Sequence, residues 1–210
     1  MGILDDISSF LQQGRAPIVK EKVEAALEQG LSAKDILEKG LLDGMSIIGN
    51  KFKNNEVFVP EVLIAARAMN AGVSILKPYL VEAGVQSKGT AVIGTVKGDL
   101  HDIGKNLVKM MLEGKGINVI DLGVDVSSEK FIQAAIDNQA DIICCSALLT
   151  TTMGEMKNVI EAATEKGIRD KVKIMIGGAP ITQSYCDSIG ADGYTPDAAS
   201  AADAALAFCS

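Results

Sequence analysis

"TAVIGTVKGDLHDIGKNLVKMMLEGKGINVIDLG" occupies residues 90–123, and its changes of period decide the fold. Thr90–Val96 is a short apolar run rich in β-branched residues, the pattern of a buried strand. From His101 the apolar positions fall at helical spacing, and the run ends at the glycines 114 and 116. Residues 117–123 return to a short Val/Ile run. A strand, a helix and a second strand form a β–α–β unit, whose two strands lie parallel.

The alternation continues to the end of the chain. "SEKFIQAAIDNQA" is a helix with Phe131, Ile132, Ala135 and Ile136 inward, and "DIICCSAL" is a strand. "TTMGEMKNVIEAATEKG" is a helix with Met153, Met156, Val159, Ile160 and Ala163 inward, and "VKIMIGGAP" is a strand. "TQSYCDSIG" is a short helix, "ADGYTP" a short edge strand and "AASAADAALAF" a last helix. Near-continuous apolar strands between helices predict a parallel sheet covered on both faces. Five such units suggest the flavodoxin-like order 2-1-3-4-5, with a ligand crevice at the carboxyl ends of strands 1, 3 and 4. The loops "KGDLHDIG", "SALLTTTM", "GGAP" and "GYTPD" become the candidate site.

Residues 1–86 read as helix, with three or four helices joined by short connections, hence a small bundle. Val19, Val23, Ala26 and Leu27 share one face before Gly30. Ser32–Asp35 has the spacing of a capping box and opens a helix carrying Ile36, Leu37, Leu41, Met45 and Ile48. Gly49-Asn50 and "KNNE" mark a loop, and Pro60 suits the first turn of a long helix. The domains expected are 1–86 and 90–210, with 87–89 as linker.

Composition narrows the function. The net charge is −7 and no basic stripe exists, which argues against nucleic acid and anionic membrane as partners. No apolar run reads as membrane-spanning, and the N-terminus lacks a basic n-region, so a cytoplasmic location is expected. The cysteines at 144, 145, 186 and 209 have no C-x-x-C spacing and read as buried, reduced thiols.

His101 is the single histidine. Its loop misses the phosphate-loop spacing by one residue, and Asn106 stands where that loop needs a hydroxyl. The dinucleotide G-x-G-x-x-G is absent, and the end of strand 3 carries Ser146, Ala147 and Leu148 rather than a phosphoacceptor aspartate. In an extended segment residues i and i+2 share a side, so Asp99 can orient the His101 imidazole and leave its second nitrogen for a metal. The plainer alternative is that Asp99 caps the following helix. Gly177-Gly178 allows close approach to something large, or makes a simple turn. Ser146, Thr150, Thr151 and Thr152 offer hydroxyls to a polar ligand, or cap the next helix.

Asp99-x-His101-x-x-Gly104, then Ser146-x-Leu148, then Gly177-Gly178, resemble the signature of cobalamin-binding domains. These occur in methionine synthase, in the methylmalonyl-CoA and glutamate mutases, and in the corrinoid proteins of methanol and methylamine methyltransferases. The segment from Leu41 to Leu80 looks like the four-helix cap of methionine synthase and of the small corrinoid proteins, which the mutases lack.

The resemblance implies cobalamin or a related corrinoid, bound base-off/His-on with His101 on cobalt. Asp99 and Thr152 would form the proton relay, with Thr151 as the other candidate for the hydroxyl. Asp102, Ile103, Gly104, Ser146, Leu148, Thr150, Gly177, Gly178 and Tyr194 would contact the cofactor. The helical stripe Phe58, Val62, Ala65 and Met69 would cover it, unless it packs as bundle core. The implied role is a methyl carrier, its cobalt cycling between Co(I) and methyl-Co(III). Its partners would be a substrate-specific methyltransferase, an acceptor-side methyltransferase acting on a thiol or tetrahydrofolate, and a reductive activase. By itself it would complete no turnover. The alternatives are an adenosylcobalamin mutase subunit and a cobalamin-sensing regulator.

Overall fold

The structure, a computed structural model, describes residues 2–209; Met1 and Ser210, which the two expected domain ranges include, lie outside them. The chain divides into two compact units, Met1–Ser87 with Gly114–Gly116, and Lys88–Glu113 with Ile117–Ser210.

The first unit is helical: α1 (Ile3–Gln12), α2 (Ala16–Glu28), α3 (Ala33–Asp35), a π-helical stretch (Ile36–Leu42), α4 (Asp43–Lys53) and α5 (Val59–Glu82). Pro17 and Pro60 sit in the first turns of α2 and α5, where a missing N–H costs nothing. Gly30, at φ 80°, closes α2, and the Leu31 N–H reaches back to the Ala26 carbonyl. Ser32 Oγ accepts from the Asp35 N–H at 3.0 Å and opens α3. From there the chain stays helical to Lys53, running through Gly49-Asn50, which the sequence reading marked as loop. The π-helical stretch re-phases the apolar stripe, so that Ile36, Leu41, Leu42, Met45 and Ile48 are all buried. α5 is long and apolar enough, by length and composition, to cross a membrane, contrary to the sequence reading. Its buried residues are Val62, Ala65, Ala66, Ala68, Met69, Gly72 and Leu76, and it packs against α2, α4 and α1.

In the second unit, the sheet among the described residues has the order β2-β1-β3-β4-β5, every pair parallel. The strands are β1 (Thr90–Thr95), β2 (Asn118–Asp121), β3 (Ile142–Ser146), β4 (Lys173–Gly177) and β5 (Gly193–Tyr194). Between and after them run α6 (Ile103–Glu113), α7 (Ser128–Asp137), α8 (Gly154–Glu165), α9 (Gln183–Ile189) and α10 (Ala198–Phe208). This is the expected flavodoxin-like order. β1 and β3, in the middle, are buried on both faces, which explains their unbroken apolar runs. One face packs Val92, Ile143, Cys145, Ile174 and Ile176 against Phe131, Ile132, Met156 and Val159. Ile136, expected inward, lies exposed at the end of α7.

All four cysteines are free thiols; Cys144, Cys145 and Cys186 are buried and Cys209 is partly so. Burial, with Cys209 nearby, pushes the Cys144 thiol up to about 12, so it stays protonated and inert at neutral pH.

Candidate functional site

The carboxyl ends of the central strands form a row. Thr95, Ser146 and Gly177 are register partners across β1, β3 and β4, and Tyr194 pairs with Ile176 one step behind. The loop leaving β1 carries Asp99 and His101 to this edge before α6 begins at Ile103.

Asp99 is fully buried and accepts five hydrogen bonds. Its Oδ1 takes the His101 backbone N–H at 3.1 Å and His101 Nδ1 at 2.7 Å. Its Oδ2 takes the Leu148 N–H at 2.8 Å, the Leu149 N–H at 3.2 Å and the Thr152 hydroxyl at 2.9 Å. Burial pushes this carboxyl up. The N–H of Leu148, both His101 donors and the Thr152 hydroxyl outweigh it and hold the group well below the usual carboxylate range. Asp99 is therefore an ionised acceptor, and its bonds go to the β3–α8 loop and to His101 rather than to an α6 amide.

An ionised carboxylate only accepts, so Nδ1 of His101 must donate. The Nε2 lone pair is thereby left for a ligand, in a side chain 51% exposed. The surroundings are apolar and open to solvent: Leu100 is 72% exposed, Ile103 74%, and Leu148 and Leu149 are also exposed. Such a cluster around a tautomer-fixed imidazole fits a flat apolar ligand that brings its own metal. Among the described residues no group of three or more His, Cys, Asp or Glu could hold a metal ion. A metal bound at His101 must bring the rest of its coordination with it.

The glycines divide in two. A Cβ at Gly104 or Gly177 would meet only open space, so the protein's own packing does not require glycine there. Gly104 lies in the first turn of α6, where glycine weakens a helix. Gly178 is different. It has φ 134°, and its Cβ would lie 1.8 Å from the Ala147 carbonyl oxygen, so the fold itself demands glycine there.

The other expected residues are placed as follows. Ser146 Oγ and Thr150 Oγ1 make no hydrogen bond among the described residues; Ser146 ends β3 and Thr150 lies in the loop that follows. Thr152 is buried and reaches Asp99; Thr151 does not. None of these threonines caps α8, whose N-cap is Met153 without a side-chain bond. Asp102 is exposed and accepts from the Asn106 amide at 3.1 Å. Tyr194 packs against the sheet core. In the helical unit the stripe is mostly interior, the outcome expected of an amphipathic helix. Val62, Ala65 and Met69 are buried, and only Phe58 of the four is exposed, with Leu63 and Ile64 as exposed neighbours on α5.

Sequence reading missed a second polar cluster beside the site. Lys105, in the first turn of α6 and 2% exposed, donates to Asp121 Oδ1 and Oδ2 at 2.7 and 2.8 Å and to Asn106 Oδ1 at 2.7 Å. Burial pushes the Asp121 carboxyl up, and the bonds from Lys105, the Gly123 N–H and Lys109 bring it below its ordinary value. The signal was present: a lysine at the positive end of a helix is locally unfavourable and calls for a carboxylate partner.

Residues 89–203 match a family model described as a B12 binding domain, and residues 3–77 match a second model of that description. The dimethylamine corrinoid protein of Methanosarcina barkeri is 47% identical over 186 residues, covering 87% of each chain. A corrinoid protein of Desulfitobacterium hafniense (strain Y51) is 41% identical over 208 residues, 98% of this chain and 96% of its own. The crystal structure of a methanol:cobalamin methyltransferase complex from Methanosarcina barkeri superposes with a TM-score of 0.87 at 32% identity. The match covers 98% of this chain and 80% of that one.

Proposed function

The chain belongs to the B12-binding family, and we infer that it is the corrinoid methyl carrier of a methyltransferase system. It binds cobalamin or a related corrinoid, whose cobalt supplies a site that accepts and gives up a methyl group. The observation that carries this reading is the Asp99–His101 pair, with a fixed donor at Nδ1 and a free Nε2 among exposed leucine and isoleucine side chains. Relatives matching over most of their length are dimethylamine and trimethylamine corrinoid proteins, which favours methyl carriage over a mutase subunit or a sensor.

His101 would hold the cobalt through Nε2, in place of the corrinoid's own base. Asp99 holds its tautomer and, with Thr152, forms the path along which charge at the imidazole is balanced. Ser146 and Thr150 offer unbonded hydroxyls to the nucleotide tail, and Gly104 and Gly177 leave it space. The exposed side chains of Leu148, Ile103 and Leu100 would supply apolar contact to the corrinoid. In the helical unit the exposed apolar side chains Phe58, Leu63 and Ile64 would serve as the cap surface. The protein works with a methyltransferase that loads the methyl group. A second methyltransferase removes it to a thiol or tetrahydrofolate, and a reductive activase restores the cofactor after oxidation. The relatives' methylated amines and methanol are the donor class, chosen by the loading partner, and the setting is the cytoplasm.

The test is stoichiometric. Apo-protein mixed with cobalamin and freed of excess should retain about one corrinoid per chain. After reduction and exposure to methyl iodide it should carry one methyl group, which a thiol methyltransferase can remove. His101→Ala should hold the corrinoid more weakly. A chain that retains no corrinoid, or retains it without accepting a methyl group, overturns the reading.

A further inference from the structure

The segment from Gly98 to Lys105 is held at both ends, by the last residue of β2 and by the short loop after it. Asp121 ends β2, and the loop that follows carries Gly123 and Asp125. At the near end, Asp125 Oδ1 accepts the Gly98 N–H at 2.7 Å, and the Asp125 N–H donates to the Asp99 carbonyl at 3.0 Å. At the far end, both Asp121 oxygens accept from Lys105, which sits two residues into α6. The loop is itself tied to β1, since the Thr95 N–H donates to the Gly123 carbonyl and the Val126 N–H to the Thr95 carbonyl, each at 3.0 Å. His101 lies between the two clamps, its carbonyl accepting from Thr95 Oγ1 at 2.8 Å.

Two features of this arrangement are unfavourable by themselves. Asp125 has φ 53°, a left-handed conformation uncommon for a residue with a side chain. Lys105 is a buried cation at the positive end of a helix. A buried ion pair is weak as a source of stability, and its better-attested use is to fix one geometry. Held at Gly98 and at Lys105, the histidine segment has little freedom left to lose when the imidazole takes a ligand, which is how preorganisation strengthens binding.

We propose that Asp121 and Asp125, outside the histidine, serine and glycine motifs, are positioning residues that brace the two ends of the His101 segment and pre-set the imidazole for axial ligation. The proposal rests on the reading of His101 as the corrinoid's lower ligand, and its test is built so that the two fail separately.

Asp125→Gly removes the carboxylate and suits the left-handed conformation, so the fold should survive. Asp125→Asn keeps an oxygen acceptor for Gly98 and serves as the rescue. Hydrogen exchange in the apo-protein reads the brace without any cofactor. The His101 amide should exchange roughly tenfold faster in Asp125→Gly, the scale of one lost charge-assisted bond, and near the wild-type rate in Asp125→Asn. In the cobalamin-loaded protein, Asp125→Gly should release corrinoid roughly tenfold faster and show less histidine nitrogen in the Co(II) EPR spectrum. The double variant Lys105→Met with Asp121→Leu, which removes both charges together, should move both readouts the same way. Unchanged exchange at His101 in Asp125→Gly overturns the brace, as does an Asp125→Asn protein as perturbed as Asp125→Gly. Wild-type protein with no histidine nitrogen on cobalt overturns the ligand reading, while the exchange measurement still decides the brace.

Discussion

Asp99→Asn removes the anion from the site and keeps its shape. The consequence follows from a count of donors. Oδ1 faces two, the His101 N–H and Nδ1, and Oδ2 faces three, from Leu148, Leu149 and Thr152. Asparagine keeps one accepting oxygen. Turned toward the three donors, it presents its NH2 to His101, so Nδ1 must accept and the ring proton moves to Nε2. That is the nitrogen a metal needs. To ligate, the imidazole must return to the other tautomer and forgo a charge-assisted bond, a loss of about 1.5–3 kcal/mol. The expected effect is a roughly 10- to 150-fold weaker histidine–cobalt equilibrium.

The assay is the fraction of histidine-ligated Co(II), measured by EPR in both proteins at one pH, with corrinoid affinity alongside. An equilibrium within about twofold of wild type would refute the tautomer argument, since a lost charge-assisted bond is worth more than that. The same substitution carries a pH signature in the apo-protein. A carboxyl held below its ordinary value contributes stability that is complete above the unfolded value near ~3.9 and is lost as pH falls through the folded one. The excess stability of wild type over Asp99→Asn in urea should therefore be level from about pH 7 to 5 and shrink below about pH 4.

Three further substitutions separate the roles of neighbouring residues. Gly104→Ala should stabilise the apo-protein by up to about 0.5–1 kcal/mol, because nothing crowds the new methyl and alanine favours the helix; corrinoid titration should nevertheless show weaker binding, and equal binding would remove Gly104 from the site. Gly178→Ala should lower the urea midpoint by an amount equivalent to roughly 3 kcal/mol or more, since its Cβ meets the Ala147 carbonyl at 1.8 Å. Thr152→Val, of similar shape, takes one donor from a buried carboxylate and should cost about 1–3 kcal/mol in the same assay.

The sheet order was legible because each β/α unit announces itself by a change of period and one topology dominates such alternations. The Asp99–His101 contact was legible because i and i+2 share a side in extended chain, although the capping alternative fell only when the Asp99 bonds were seen to go to His101 and the β3–α8 loop. Four things were not. The π-helical stretch at Ile36–Leu42 leaves no local mark, and Gly49-Asn50 looks like a break until packing holds it in a helix. Val62, Ala65 and Met69 form a stripe that period alone assigns equally to a core and to a cover. The bonds of Asp121 and Asp125 to the His101 segment join residues 16–27 positions apart, and only the folded sheet brings them together.

Binding of a corrinoid's cobalt by His101 Nε2 is directly measurable, because the chain has a single histidine. Protein grown with 15N-histidine and loaded with unlabelled cobalamin is reduced to Co(II), and its EPR spectrum is compared with that of unlabelled protein. With His101 on cobalt, the axial nitrogen splitting changes from the triplets of 14N to the doublets of 15N. Triplets that persist in the labelled protein would show the cofactor's own base on cobalt and remove His101 as its ligand.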